Sequence, residues 1–111
     1  MRFLVTIAGS DVGVGMPPER LAQVMDQMVI PGVEQLVRWE QEGRIHGGGY
    51  NAARGGVFII DADSNEEVDH LLTSLPHWNL LNVDVKPLVP ISTMLKRAQE
   101  RSKGLQERLS R

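Results

Sequence analysis

Cysteine is absent from the 111-residue chain, so disulfide bonds and thiolate metal sites are excluded. No apolar run approaches the roughly 20 residues that a membrane-spanning helix needs, so we predict no membrane partner. The first residues, MRFLVTIAG, lack the long apolar core of a signal peptide and enter a strand immediately. We therefore expect a cytoplasmic protein.

The charge of the chain shows no basic excess, because its formal net charge is −2. A nucleic-acid partner therefore has no electrostatic support. No H-x-x-x-H or G-x-S-x-G motif is present, and we predict neither a metal nor a cofactor. The length fits one domain with a substantial core. We place that domain at residues 1–91 and assign residues 92–111 to a charged C-terminal helix.

The stretch from Gly55 to Val89 predicts a strand, a capped helix and a second strand. Val57–Ala62 is short, apolar and rich in β-branched residues, which is typical of a buried strand. Ser64 and Glu67 then form the S-x-x-E capping box of a helix N-terminus. Apolar residues follow at the spacing of one helix face: Val68, Leu71, Leu72 and Leu75. The last segment, 83–89, alternates like a strand, and its proline indicates an edge position or a bulge.

The N-terminal half predicts a strand at Arg2–Ala8, a helix, and a glycine-rich strand at Arg44–Tyr50. Pro31-Gly32 is expected to kink the helix or break it in two, with the second part over Val33–Glu42. The resulting order, β-α-β-β-α-β, is the ferredoxin-like α+β pattern with an antiparallel sheet. The first strand is apolar on both faces, so we expect a second sheet to cover it in a homodimer or higher homo-oligomer, as a dimeric α+β barrel.

A family resemblance is carried by Gly43, the strand VFIIDADS, the helix segment HLLTSLP, Trp78 and the strand VDVKPLVPIS. Over about Gly43 to Ser92, these features resemble the muconolactone isomerase family. The resemblance implies a small cofactor-free enzyme that binds a small molecule and moves a proton within an unsaturated lactone. Such a reaction needs a base, an acid and donors that stabilise a dienolate.

Three residues are candidates for catalysis. The family has acidic residues in the middle of the first helix, where this chain reads VIPGVEQ, and Glu34 is the nearest carboxylate. His46 and Tyr50 lie four apart on one strand and share a face. His46 is either a base with a near-neutral pKa or a surface histidine. Tyr50 is either a hydrogen-bond donor or an interface residue.

Three further residues are candidates for substrate binding. Arg54 is either a planar two-bond partner for a carboxylate or a solvated side chain. His77 and Trp78 follow a helix end and either wall a ligand pocket or pack beneath a loop or at a subunit contact. Glycines 47, 48, 49, 55 and 56 allow a ligand or a second backbone to approach the sheet closely, or mark a twisted hairpin.

The favoured hypothesis is an isomerase-like protein acting on a small unsaturated lactone or related oxygenated compound. One alternative is a cofactor-free oxygenase or cyclase with a mostly apolar pocket. Another is a non-catalytic binding or assembly protein that interacts through its C-terminal helix. If His46 or Glu34 points into a closed cavity between the first helix and the sheet, the isomerase hypothesis is supported. A cavity lined only by Met, Val and Trp favours the oxygenase or cyclase, and a filled interior favours the non-catalytic protein.

Overall fold

The computed structural model describes residues 1–111 as four strands and four α-helices. Their bounds, in chain order, are β1 (Arg2–Gly9), α1 (Pro18–Val24), α2 (Ile30–Gln41), β2 (Ile45–Gly49), β3 (Gly55–Asp61), α3 (Asn65–Thr73), β4 (Leu81–Leu88) and α4 (Ile91–Leu109). A π-helical turn joins α1 to α2, so together they fill the first helical position of the β-α-β-β-α-β pattern. The ferredoxin-like prediction is confirmed.

All strand pairs are antiparallel, and the sheet order is β2-β3-β1-β4. Because β4 pairs only with β1, Pro87 lies on an edge strand, as its missing amide predicts. The alternation of β1 sends one set of side chains into the core beneath the helices. That core consists of Phe3, Val5, Ile7, Trp39, Ile45, Phe58, Ile60, Ala62, Val68, Leu72 and Leu75.

The opposite face of the sheet is less well covered. Leu4, Val57 and Ile59 point away from the core and are only half-buried. Apolar side chains therefore occupy both faces of the central strands, as the sequence predicts.

The interruption of the first helix differs from the prediction in position. It is a π-helical turn at Met25–Val29, and α2 begins at Ile30, upstream of the expected start at Val33. The Ile30 amide donates to the Met25 carbonyl, five residues back. Proline has no amide and collides with the carbonyl four residues before it in a regular helix. Because the wider turn precedes Pro31, that proline lies in the first turn of α2, where it is tolerated.

The N-terminus of α3 is fixed by its cap. The Ser64 hydroxyl accepts a hydrogen bond from the Glu67 amide at 3.1 Å, as the motif predicts. The Glu67 carboxylate does not return to Ser64. It accepts from the Asp63 amide at 2.7 Å and pairs with the Arg44 guanidinium at 2.8 Å. The same carboxylate thus joins the start of α3 to the residue that precedes β2.

The C-terminal helix α4 has no buried residue. The molecule measures 72 Å along its longest axis and 32 and 26 Å across, because this helix extends from the sheet domain. None of the helices is both long enough and apolar enough to cross a membrane.

Candidate functional site

A cavity of about 620 Å³ lies between one end of the sheet and the α1–α2 segment. Its wall is mostly apolar and includes Ile7, Leu21, Val24, Met25, Val29, Val33, Leu36, Val37, Phe58, Leu80 and Leu81. Pockets of this volume and lining are typical of sites for small organic molecules. The interior is therefore not filled, contrary to what a purely structural role would predict.

Glycine creates much of this space. In the strand register, Gly47 lies opposite the core residue Phe58, and Gly49 lies opposite Gly56. These positions face the helices, where larger side chains would fill the gap between sheet and helix. Side chains at positions 47 and 56 would also overlap the neighbouring strand. The glycine run therefore creates a cavity at one end of the core.

His77 is the buried polar group of the cavity. It follows α3, and the 3₁₀ turn Trp78–Leu80 holds the chain beyond it. The Ser10 amide donates to the Leu80 carbonyl at 2.9 Å, which brings the loop after β1 to the same end of the sheet. His77 is only 3 % exposed, and its Nδ1 has no hydrogen-bond partner. Burial lowers the pKa of this imidazole below its usual value, so the neutral form is favoured.

The position of the imidazole depends on Gly32. This glycine is buried in the first turns of α2, and a Cβ atom there would overlap the Nδ1 edge of the His77 ring. A helical glycine costs roughly 1 kcal/mol relative to alanine. Glycine is required at this position because the ring packs closely against the helix backbone. Pro31-Gly32, which the sequence analysis treated as a helix breaker, is therefore also part of the cavity wall.

Two charged side chains also line the cavity. The hydrocarbon stem of Arg54 packs on the backbone of Gly9, where a Cβ would lie 3.3 Å from the arginine Cδ. Arg54 forms none of the ion pairs of the chain, so its guanidinium is available to a ligand. Glu40 lies one turn after Val37 on the same face of α2 and is exposed. The cavity thus combines an apolar interior, a neutral imidazole and charge at its margin.

The predicted site residues fall into two groups. His77 and Arg54 line the cavity together. His46 and Tyr50 share a face, but it is the face away from the helices, where His46 is opposite Ile59. Tyr50 contributes there to a separate shallow depression. The structure therefore places this pair outside the cavity.

The other two predicted residues also lie outside the cavity lining. Glu34 is exposed on α2, and Trp78 packs against the core at the start of its 3₁₀ turn. Sequence reasoning missed Glu40 and the role of Gly32. The first could have been found from its helical spacing with Val33 and Val37, and the second from the cost of glycine within a helix. No group of three or more His, Asp or Glu side chains is arranged to hold a metal ion.

The profile of the muconolactone delta-isomerase family matches residues 1–93. A crystal structure of muconolactone isomerase is similar over 81 % of this chain and 90 % of its own, with a TM-score of 0.65 and 22 % identity. A 5-chloro-2-hydroxyhydroquinone dehydrochlorinase from Burkholderia phenoliruptrix AC1100, solved with 2,5-dihydroxybenzoquinone, covers 80 % of this chain and 94 % of its own, with a TM-score of 0.51 and 19 % identity. No curated protein sequence gives a significant match. The two solved structures support the fold.

Replacing Gly32 with alanine tests the contact between α2 and His77. We expect the free energy of unfolding to fall by about 1–3 kcal/mol, because the added methyl displaces a buried ring. Gly104→Ala is the matched control, since a Cβ at this helical position meets open space. The free energy of unfolding of that variant should rise by about 0.5–1 kcal/mol. Urea denaturation measures both, and equal stabilisation of the two variants would contradict the contact.

The buried imidazole also predicts a dependence of stability on pH. Because burial lowers the pKa of His77 from 6.5, the unfolded chain binds more protons between the lowered value and 6.5. Stability should therefore fall as the pH decreases through that interval, whereas above it this histidine contributes no slope. His77→Gln should remove that part of the slope, and His70→Gln, at an exposed site, should retain it. Urea denaturation from about pH 7.5 to about pH 5 makes the comparison. Identical slopes in all three proteins would refute the assignment.

Proposed function

This chain belongs to the muconolactone delta-isomerase family, and we propose that it catalyses a cofactor-free proton shift in a small unsaturated lactone or related oxygenated compound. The observation that carries the proposal is the imidazole of His77 in the wall of a mostly apolar cavity. Its Nδ1 edge packs against the backbone of Gly32, so the other ring nitrogen is the one that would meet a substrate.

His77 has the properties of the required base. Its lowered pKa keeps the imidazole neutral near pH 7, so a nitrogen lone pair is available to accept a proton. In the proposed reaction, the C–H bond next to the lactone carbonyl breaks and its proton passes to the imidazole. The electron pair spreads into a dienolate. The imidazolium then returns the proton to the far carbon of that system, and the double bond shifts.

The balance of this reaction explains why no cofactor is needed. One proton leaves and one returns, and the oxidation state of the molecule as a whole is unchanged, because the carbon that loses hydrogen is balanced by the carbon that gains it. The apolar wall strengthens electrostatic interactions with the transient negative charge, because it excludes water. A charged imidazolium beside the dienolate is therefore a stabilising partner during the step in which both exist.

Arg54 is the proposed recognition group for a substrate carboxylate. Its guanidinium has no partner in the chain, and the contact of its stem with Gly9 directs the side chain over the end of β1. Guanidinium and carboxylate groups form paired, charge-assisted hydrogen bonds. A substrate held in this way would have its ring in the apolar interior and its charge at the margin.

Hydroxylated chloroquinol-type compounds are a second candidate substrate class. The supporting observation is the structural similarity to the dehydrochlorinase, whose reaction by its name removes hydrogen chloride from a ring. Loss of hydrogen chloride also requires a base, and His77 would accept the proton in this case too. An assay panel should therefore contain both unsaturated lactones and chlorinated hydroxyhydroquinones.

We also propose that two copies associate through the sheet face that bears Leu4, Val57 and Ile59, because these apolar side chains are only half-buried. His46 and Tyr50 lie on this face, so they would be interface residues. The assignment of His46 and Tyr50 to catalysis stays a prediction. It would require a substrate site at this interface.

Substitution of His77 tests the catalytic proposal. We expect His77→Gln to lower kcat for the active compound of the panel by about 10²- to 10⁴-fold, the usual contribution of a general base. His70→Gln is the control, because this histidine is exposed on α3 and does not line the cavity. Its kcat should match that of the wild type. An unchanged rate in a folded His77→Gln protein would exclude the imidazole from the reaction.

Substitution of Arg54 tests carboxylate recognition. We expect Arg54→Gln to raise KM for a carboxylated substrate about tenfold or more, and to leave KM for its methyl ester nearly unchanged. Arg2→Gln provides a control, since this exposed arginine pairs with Asp61 away from the cavity. An equal loss with acid and ester would show that Arg54 does not bind the carboxylate.

A further inference from the structure

The C-terminal helix α4 exposes an apolar surface to solvent. None of its 19 residues is buried, although it carries a stripe of apolar and small residues at 3-4 spacing: Leu95, Ala98, Ser102, Leu105 and Leu109. Leu95 and Leu109 are 59 % and 86 % exposed. The family profile ends at residue 93, so almost the whole helix lies beyond the part shared with the family.

The charge of the tail is opposite to that of the rest of the chain. Residues 91–111 contain six Lys or Arg and two Glu, which gives +4. Residues 1–90 contain six Lys or Arg and twelve Asp or Glu, which gives −6 and accounts for the net −2 of the chain. An attraction between the tail of one molecule and the domain of another follows from these signs.

Charge is distributed unevenly around α4. Both glutamates, Glu100 and Glu107, lie on the side opposite the apolar stripe. Arg101 and Arg108 lie nearer the stripe, and neither has an acidic residue three or four positions away on the helix. No ion pair of the chain involves either arginine. The stripe is thus accompanied by cations that lack partners.

A matching surface exists at the mouth of the cavity. Leu21, Met25, Val33 and Val37 line the cavity, yet each is 42–47 % exposed. We call these four residues the rim. Two carboxylates lie on α2 beside it, since Glu40 is three positions after Val37 and Glu34 is three positions before it. The rim is therefore apolar and flanked on α2 by negative charge, whereas Arg54 lies at the sheet side of the cavity. The α4 stripe is likewise apolar and is flanked by positive charge.

We propose that α4 of one molecule docks its apolar stripe on the rim of a second copy and closes the mouth of that copy's cavity. Arg101 and Arg108 would then meet the carboxylates of α2. Pairing of two α4 helices is a poorer match, because it brings two segments of charge +4 together. This contact differs from the sheet-to-sheet association and stands whether or not the cavity binds a lactone.

Disulfide trapping tests the contact directly, since the chain has no cysteine of its own. Full-length chains carrying Ala98→Cys and chains carrying Val37→Cys, with tags of different mass, would be co-expressed and oxidised. We expect a cross-linked heterodimer. Lys103→Cys replaces Ala98→Cys in the control, because position 103 lies away from the stripe, and it should give little heterodimer. Cross-links confined to two Ala98→Cys chains, or no cross-link at all, would overturn the proposal.

Charge reversal then tests the complementarity. Arg101→Glu/Arg108→Glu in the Ala98→Cys chain should reduce the heterodimer yield at least tenfold at low salt. Glu34→Arg/Glu40→Arg in the Val37→Cys chain should restore it. Lys96→Glu/Lys103→Glu, an equal change of charge away from the stripe, is the control and should retain most of the yield. Equal losses in both tail variants, or no recovery in the reversed pair, would contradict the assigned contact. Arginine-dependent cosedimentation with anionic lipid vesicles, without the cross-link, would instead assign α4 to a membrane surface and overturn the proposal.

Discussion

The close contact between the His77 imidazole and the Gly32 backbone is the constraint on which the cavity depends. It sets the separation between α2 and the turn after α3, since any side chain at position 32 would push the ring away. Pro31 precedes the same point, and the π-helical turn lets the chain accommodate this proline without ending the helix. Together, Pro31, Gly32 and the π-helical turn allow the backbone of the helix to pack against the buried His77.

The cavity follows from what the sheet omits at the same end. Larger side chains at Gly47, Gly49 and Gly56 would occupy the space between the strands and α1–α2. A void of this size forfeits dispersion contacts and burial, so it reduces stability compared with a filled core. The neutral His77 is unfavourable in the same apolar setting because its Nδ1 lacks a partner. A ligand that filled the void would restore dispersion contacts and burial, which links the stability of the site to binding.

The sequence predicted the scaffold better than the site, and the reason is physical. Capping residues, alternating strands and an edge proline act locally, so Ser64 and Pro87 could be interpreted from their neighbours alone. The glycine-rich strand offers no alternation of apolar and polar side chains, and alternation is what fixes the face of a residue. The sequence therefore could not show that His46 lies on the face of the sheet opposite the cavity. The burial of His77 depends on packing against α2, a contact between residues distant in sequence that no local pattern encodes.

The sheet domain and α4 have different roles in the proposed assembly. The shared domain contributes a mostly apolar cavity with one buried, neutral imidazole, and the proposed proton shift requires such a group and the exclusion of water. Yet the rim residues leave the mouth of that cavity open, and within the chain α4 does not cover it. An exposed apolar rim and an exposed apolar helix each expose surface to water at a cost in free energy. Because their charges are opposite, docking one on the other in a second copy would remove both costs and exclude water from the cavity. Closure by a neighbouring molecule is thus the arrangement in which the exposed helix, the exposed rim and the opposite charges of tail and domain are explained by the same contact.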